Sequence, residues 1–134
     1  MNTEMTYLAL TAVLASVMWI PYILGVNKYP SDDINADFLR PRDLATVPAW
    51  VHRSHRAHLN LLEQFLPMAT LVLLAGQAGV SNVVTAWCVI IFFWLRVAHA
   101  IGMVTGIARF PVRPIIFTSG WICILAFAWQ LLSA

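Results

Sequence analysis

Residues 55–76 read HRAHLNLLEQFLPMATLVLLAG, and the fold turns on how one stretch can be both strongly apolar and charged. From Gln64 to Leu95 the chain carries no charge, whereas Arg56, Asn60 and Glu63 stand just before that run. At 100° per helical residue Asn60 lies about 40° and Glu63 about −20° from Arg56, and Arg53 joins them at about 60°. All four therefore share one helical face. A charge at the centre of a bilayer costs about 2.5–3.5 kcal/mol on insertion scales, so this stripe needs compensation from somewhere. That need makes Arg53, Arg56, Asn60 and Glu63 the first candidates for function.

Working outward, the composition says that a membrane is the solvent. Of 134 residues, 60% are hydrophobic and only 10% are charged, with a mean hydropathy of +0.77; soluble domains carry about 25% charged residues. Charge is absent from Met5–Asn27, Gln64–Leu95 and Pro114–Ala134, and Val97–Ala108 holds only His99. Divided into four spans, these blocks give each one the ~20 residues that a spanning helix requires. The expected fold is all-α, an integral membrane four-helix bundle in a single domain over 1–134, with spans at about 4–26, 50–76, 82–106 and 113–133. No nucleic-acid partner is expected; the lipid bilayer is the first partner.

The opening Met-Asn-Thr-Glu has no Lys or Arg, and no small-x-small cleavage site follows the first apolar run. That run is therefore read as a retained helix rather than a signal peptide. All eight Lys and Arg residues lie in or beside the first and third connections. The positive-inside bias then puts those connections in the cytoplasm and both termini on the opposite side, in the inner membrane if the source is bacterial. The polar first connection, 28–48, holds three prolines and Asp32, Asp33, Asp37 and Asp43. It reads as a solvated loop, with a lid or substrate-recognition loop as the alternative. Thr46 and Pro48 resemble a cap and first-turn proline for the second span. Pro67 is expected to kink that span, and Gly102 and Gly106 offer a weak signal for close helix packing. Cys88 and Cys123 lack CxxC spacing and read as buried, inert thiols.

The third span supplies a second polar stripe. Arg96, His99 and Met103 share a face, and if it meets the first stripe the space between them holds several cations, one acid and one amide. Arg109 and Arg113 add two cations at the rim. A surplus of guanidinium groups suits an anionic ligand, since each grips a carboxylate through two parallel bonds. Structural alternatives stand beside this. Arg56 and Glu63 can form an ion pair, Asn60 can bond between helices, and Arg53 and Arg96 can snorkel to the interface. His52, His55 and His58 are spread around their helix, so no metal site is expected.

These residues carry a resemblance. The run Arg56-Ala-His-Leu-Asn60-Leu-Leu-Glu63 resembles the Arg-Ala-x-x-Asn-x-x-Glu signature of the MAPEG family, the membrane-associated proteins in eicosanoid and glutathione metabolism. Arg96-Val-Ala-His99 is similar to the family's Arg-Val-x-His segment, and Arg109-Phe-Pro-Val-Arg113 to its third connection. The resemblance implies a homotrimer with glutathione, as co-substrate, bound between subunits near the cytoplasmic face. It also implies a transferase or peroxidase-like activity in which the thiolate attacks a lipophilic electrophile arriving from the bilayer. Arg56, Asn60 and Glu63 match positions that contact glutathione or build its site, with Arg53, Arg96, His99 and Arg109 in support and Arg113 beside the sulfur as the catalytic candidate. The chemistry suits the ligand: arginines take its carboxylates, Glu63 its amine, and a cation near sulfur favours the nucleophilic thiolate.

One departure weighs against turnover. Met103 stands where the family often has a tyrosine, and a thioether donates no hydrogen bond. A non-catalytic trimeric membrane protein that uses the stripe for assembly or ligand binding is therefore the alternative. A small transporter fits less well, because the polar residues cluster near one face rather than tracing a path across the membrane.

Overall fold

The computed structural model describes residues 1–30 and 43–134. Most of the polar first connection, with Asp32, Asp33, Asp37, Arg40 and Arg42, lies outside the described residues, and so does any lid there. The described residues form helices α1 (Thr3–Val17), α2 (Ile20–Lys28), α3 (Ala49–Ala78), α4 (Val83–Thr105) and α5 (Val112–Leu132), with no strand among them. Four helical segments are long and apolar enough to cross a membrane: Thr3–Lys28, Ala49–Ala78, Val83–Thr105 and Val112–Leu132.

The first of these segments is two helices rather than one. Pro21 has no N–H to give the carbonyl of Val17, four residues back, and α1 ends at that residue. Asn2 opens α1 by accepting from the Met5 N–H at 3.0 Å. Thr46 does not cap α3, contrary to the sequence reading. Asp43 starts a 3-10 turn over Leu44–Thr46, and the Thr46 hydroxyl donates back to the Asp43 carbonyl at 2.7 Å. Thr46 lies two residues before the position that flanks α3, and Pro48 occupies that position.

At 30 residues, α3 is about 45 Å long at 1.5 Å per residue, well beyond a hydrocarbon core of ~30 Å. Its ends therefore reach polar depths, and Arg53 and Arg56 lie in its first two turns. The helix runs unbroken through Pro67. Asn82 opens α4 with a capping box, accepting from the N–H groups of Val84 and Thr85 while the Thr85 hydroxyl accepts from its own N–H. Gly106, at φ 82°, closes α4 in the left-handed region where a side chain is strained.

In the bundle α4 packs against α1, α3 and α5, and α2 packs against α3. One apolar core joins α3, α4 and α5 through Met68, Val72, Phe92 and Phe127. A second joins α1, α3 and α4 through Met18, Leu61, Ala100 and Met103. Polar contacts mark one end of the bundle. The buried Glu4 carboxylate accepts from Ser81 Oγ at 2.9 Å and Thr85 Oγ1 at 2.6 Å, and Asn82 Nδ2 donates to Gln130 Oε1 at 3.0 Å. The N-terminal turn, the α3–α4 connection and the last turns of α5 are thereby gathered at one end, and the α4–α5 connection lies at the other. Gly102 serves that second connection rather than a helix–helix seam. The Gly102 carbonyl accepts from the Ala108 N–H at 2.9 Å, and a Cβ on Gly102 would meet the Cβ of Ala108.

Candidate functional site

Burial along α3 follows the helical wheel in order. Glu63 (about −20°) and Arg56 (0°) are exposed, Asn60 (about 40°) and Arg53 (about 60°) are half-buried, and Gln64 (about 80°) is buried. Ala57 and Leu61 continue the series into the core. The charged stripe thus lies along the edge of the subunit, with one side turned outward and the other turned in. Among the described residues neither Arg56 nor Glu63 makes a hydrogen bond or ion pair, so the structural ion pair between them does not form within the subunit.

On the inward side Arg53 reaches across to α4. Its Nε donates to the Met103 carbonyl at 2.9 Å, and its guanidinium lies over Gly106. The last carbonyls of a helix have no partner of their own and carry partial negative charge. Arg53 supplies the missing donor at the α4 C-terminus, and the absence of a Cβ at Gly106 gives it room.

Beside this, a cavity of about 510 Å³ opens at the α4–α5 end of the bundle. Asn60 comes to its wall from α3, His99 from α4, Arg109 from the connection, and Arg113, Phe117 and Thr118 from α5. Among the described residues two arginines and no acid line it. The buried His99 Nε2 has no hydrogen-bond partner among the described residues. An anion with polar atoms of both kinds is the chemistry such a wall can hold. Arg109 and Arg113 both line this cavity.

Arg96 lies one helical turn before His99, almost wholly buried. Its guanidinium is 5.7 Å from the Phe92 ring centroid and 6.0 Å from that of Phe117. Nη2 donates to the Ile116 carbonyl at 3.1 Å, while Nε and Nη1 have no partner among the described residues. The next carbonyl of α5, Phe117, accepts from Gln64 Nε2 at 2.9 Å. Two side chains from two helices therefore hold adjacent carbonyls of the segment that carries Arg113, Phe117 and Thr118.

The chain belongs to the MAPEG family. The family model matches residues 5–133, from the first helix through the last, and no curated protein matches the chain. MAPEG proteins are membrane proteins that include glutathione transferases and related enzymes. Within this MAPEG chain Asn60, His99, Arg109 and Arg113 meet at one cavity, with Arg96 buried behind His99. Arg56 and Glu63 stand outside that cavity, on the outward side of α3. Met103 is also away from the cavity wall, packed in the apolar core with Ala57, Leu61 and Ala100.

Sequence reasoning passed over Gln64, Phe117 and Thr118. For Gln64 a signal was present, since it sits about 40° beyond Asn60 on the same wheel. Phe117 and Thr118 had none, because an aromatic and a lone hydroxyl in a spanning helix read as packing. The histidines of α3 form no metal cluster, and no group of three His, Cys, Asp or Glu side chains among the described residues can hold an ion. His55 instead stacks on Tyr22 of α2, with ring centroids 4.4 Å apart.

Proposed function

We propose that the protein is a membrane-embedded glutathione-dependent transferase or peroxidase-like enzyme that activates the glutathione thiolate for attack on a lipophilic electrophile. The observation that carries this is the cavity, whose wall brings together Asn60, His99, Arg109 and Arg113, with no acid among the described residues that line it. Glutathione has two carboxylates, one amine and a thiol. Arginines suit the carboxylates, and a guanidinium beside sulfur lowers the cost of the thiolate, the form that attacks. Arg113 is the catalytic candidate. Arg53, Arg56, Asn60, Glu63, Arg96, His99 and Arg109 are the binding candidates, with Arg53 and Arg96 acting by holding the cavity's walls. In the transfer step the sulfur lone pair forms a bond to the electrophilic carbon, whose leaving group or opened ring takes the displaced electron pair.

The assembly belongs to the same proposal. Arg56 and Glu63 are exposed on a spanning helix and have no partner among the described residues, and a charge facing hydrocarbon is costly. A homotrimer compensates them by bringing a neighbouring subunit, with glutathione between, against the outward side of α3. The first and third connections face the cytoplasm, by the placement of their basic residues. A non-catalytic trimer is the second reading, favoured by Met103, which offers the ligand no donor.

Glutathione added to purified protein separates the two through the ultraviolet absorbance of the thiolate. The enzyme reading expects a thiolate band that Arg113→Ala abolishes. It also expects binding weakened about tenfold or more in Arg56→Ala and Glu63→Ala, the loss of one charge-assisted contact each. If glutathione changes neither absorbance nor melting temperature, the enzyme reading is to be abandoned.

A further inference from the structure

The buried guanidinium of Arg96 has two N–H directions without partners, and the side chain next to it is an amide where an acid would have completed an ion pair. A Cβ on Gly120 would lie 2.5 Å from Gln64 Oε1 and 3.0 Å from Arg96 Nη2, so the two side chains are neighbours across the gap that glycine leaves. Gln64 is 4% exposed and Arg96 1%. Gln64 Oε1, like Arg96 Nε and Nη1, has no hydrogen-bond partner among the described residues. Glutamate has nearly the shape of glutamine, and at this position it would set a full negative charge beside the guanidinium. In a water-poor interior such a pair would cancel the field that Arg96 projects outward. That field reaches the cavity directly. Phe117, whose ring centroid is 6.0 Å from Arg96 Cζ, lines it, and so does His99, one turn along α4.

We propose that Gln64 makes the cavity selective for anionic ligands by leaving the Arg96 charge uncompensated. The residue acts through Arg96 and the backbone of α5 and needs no contact with the ligand. Its Nε2 steadies the Phe117 carbonyl, while the neutral amide oxygen leaves the guanidinium without a counter-charge. The ligand class is a thiol bearing carboxylates, in preference to a neutral thiol of the same size. This rests on the glutathione reading and adds to it which residue sets the charge preference.

The test compares acids with neutral controls at two positions around Arg96. Gln64→Glu is set against Gln64→Met, which also loses the bond to Phe117 but adds no charge. Cys123→Asp is set against Cys123→Ser; Cys123 is buried three residues beyond Gly120 on the same face of α5. Binding of glutathione and of its diethyl ester, which lacks both carboxylates, is measured by calorimetry at pH 6 and pH 8, so that the introduced acid ionises. The expected result is glutathione binding about tenfold or more weaker in each acid variant than in its control, with no loss of binding for the ester, whose only charge is its ammonium. Equal glutathione binding by Gln64→Glu and Gln64→Met, or an equal loss for the ester, overturns the inference. Should Gln64→Glu not fold, the Cys123 pair decides by the same criteria. Wild-type protein that binds no glutathione sinks the glutathione reading itself, a result distinct from either.

Discussion

A guanidinium in a spanning bundle needs a partner, and the arginines here find different ones. Arg53 takes a helix-end carbonyl, and Arg96 takes one carbonyl and two aromatic faces. Arg113 turns to the cavity, and Arg56 has no partner among the described residues. The Arg53 contact depends on Gly106, whose φ of 82° brings the chain round beneath the guanidinium. Gly106→Ala is expected to destabilise the protein by about 1–2 kcal/mol, the cost of holding an L side chain in the left-handed region. Thermal unfolding in detergent checks this, and an unchanged melting temperature would mean that the turn relaxes without strain. The polar face of α3 could be read from residue spacing, because 100° per residue fixes which side chains share a face. Which side of that face turns inward could not. That depends on what α3 packs against, and it places Asn60 at the cavity and Arg56 outside it.

At the scale of elements, ends decide more than interiors. Every span is apolar enough to be helical, so local chemistry sets where each one starts and stops. Pro21 divides the first span, Asp43 shapes the approach to α3, and Asn82 opens α4. Asn82 also ties that opening to the C-terminal helix through Gln130. Asn82→Ala is expected to cost about 0.5–2 kcal/mol through loss of the cap. Native-state hydrogen exchange should show faster amide exchange at Val84 and Thr85, whose N–H groups it holds; unaltered rates there would argue that solvent or lipid replaces the cap at no cost. The break before Pro21 was not read from the sequence, where the first span stood as one helix, although a proline inside a helix removes one bond and crowds the preceding turn. Nor was the use of Thr46, because Thr and Asp both suit a cap and only the folded geometry shows which one is used.

For the whole molecule the outward side of α3 is the open account. Arg56 and Glu63 are charges on the subunit's membrane surface, and the proposed trimer covers them with a second copy. In a cyclic trimer each copy meets its neighbour through two different patches, so one reversed charge is repeated at all three interfaces. Glu63→Lys is therefore expected to shift the detergent-solubilised protein from trimer to monomer, as read by light scattering after size exclusion. A trimer of unchanged mass would place the interface elsewhere and leave these charges to snorkel toward headgroups.

Four apolar segments, their helical nature, the polar stripes and the family resemblance were all present in the sequence. Hydropathy and periodicity are local properties, and a bilayer demands them of each span separately. Tertiary structure alone decided that Gln64 stands beside Arg96, that Met103 faces the apolar core, and that Phe117 and Thr118 complete the cavity. In a membrane, lipid-facing and buried surfaces are both apolar, so composition does not reveal which face of a helix meets another. Only packing does, and packing separates the inner residues of the α3 stripe from Arg56 and Glu63 on its outer edge.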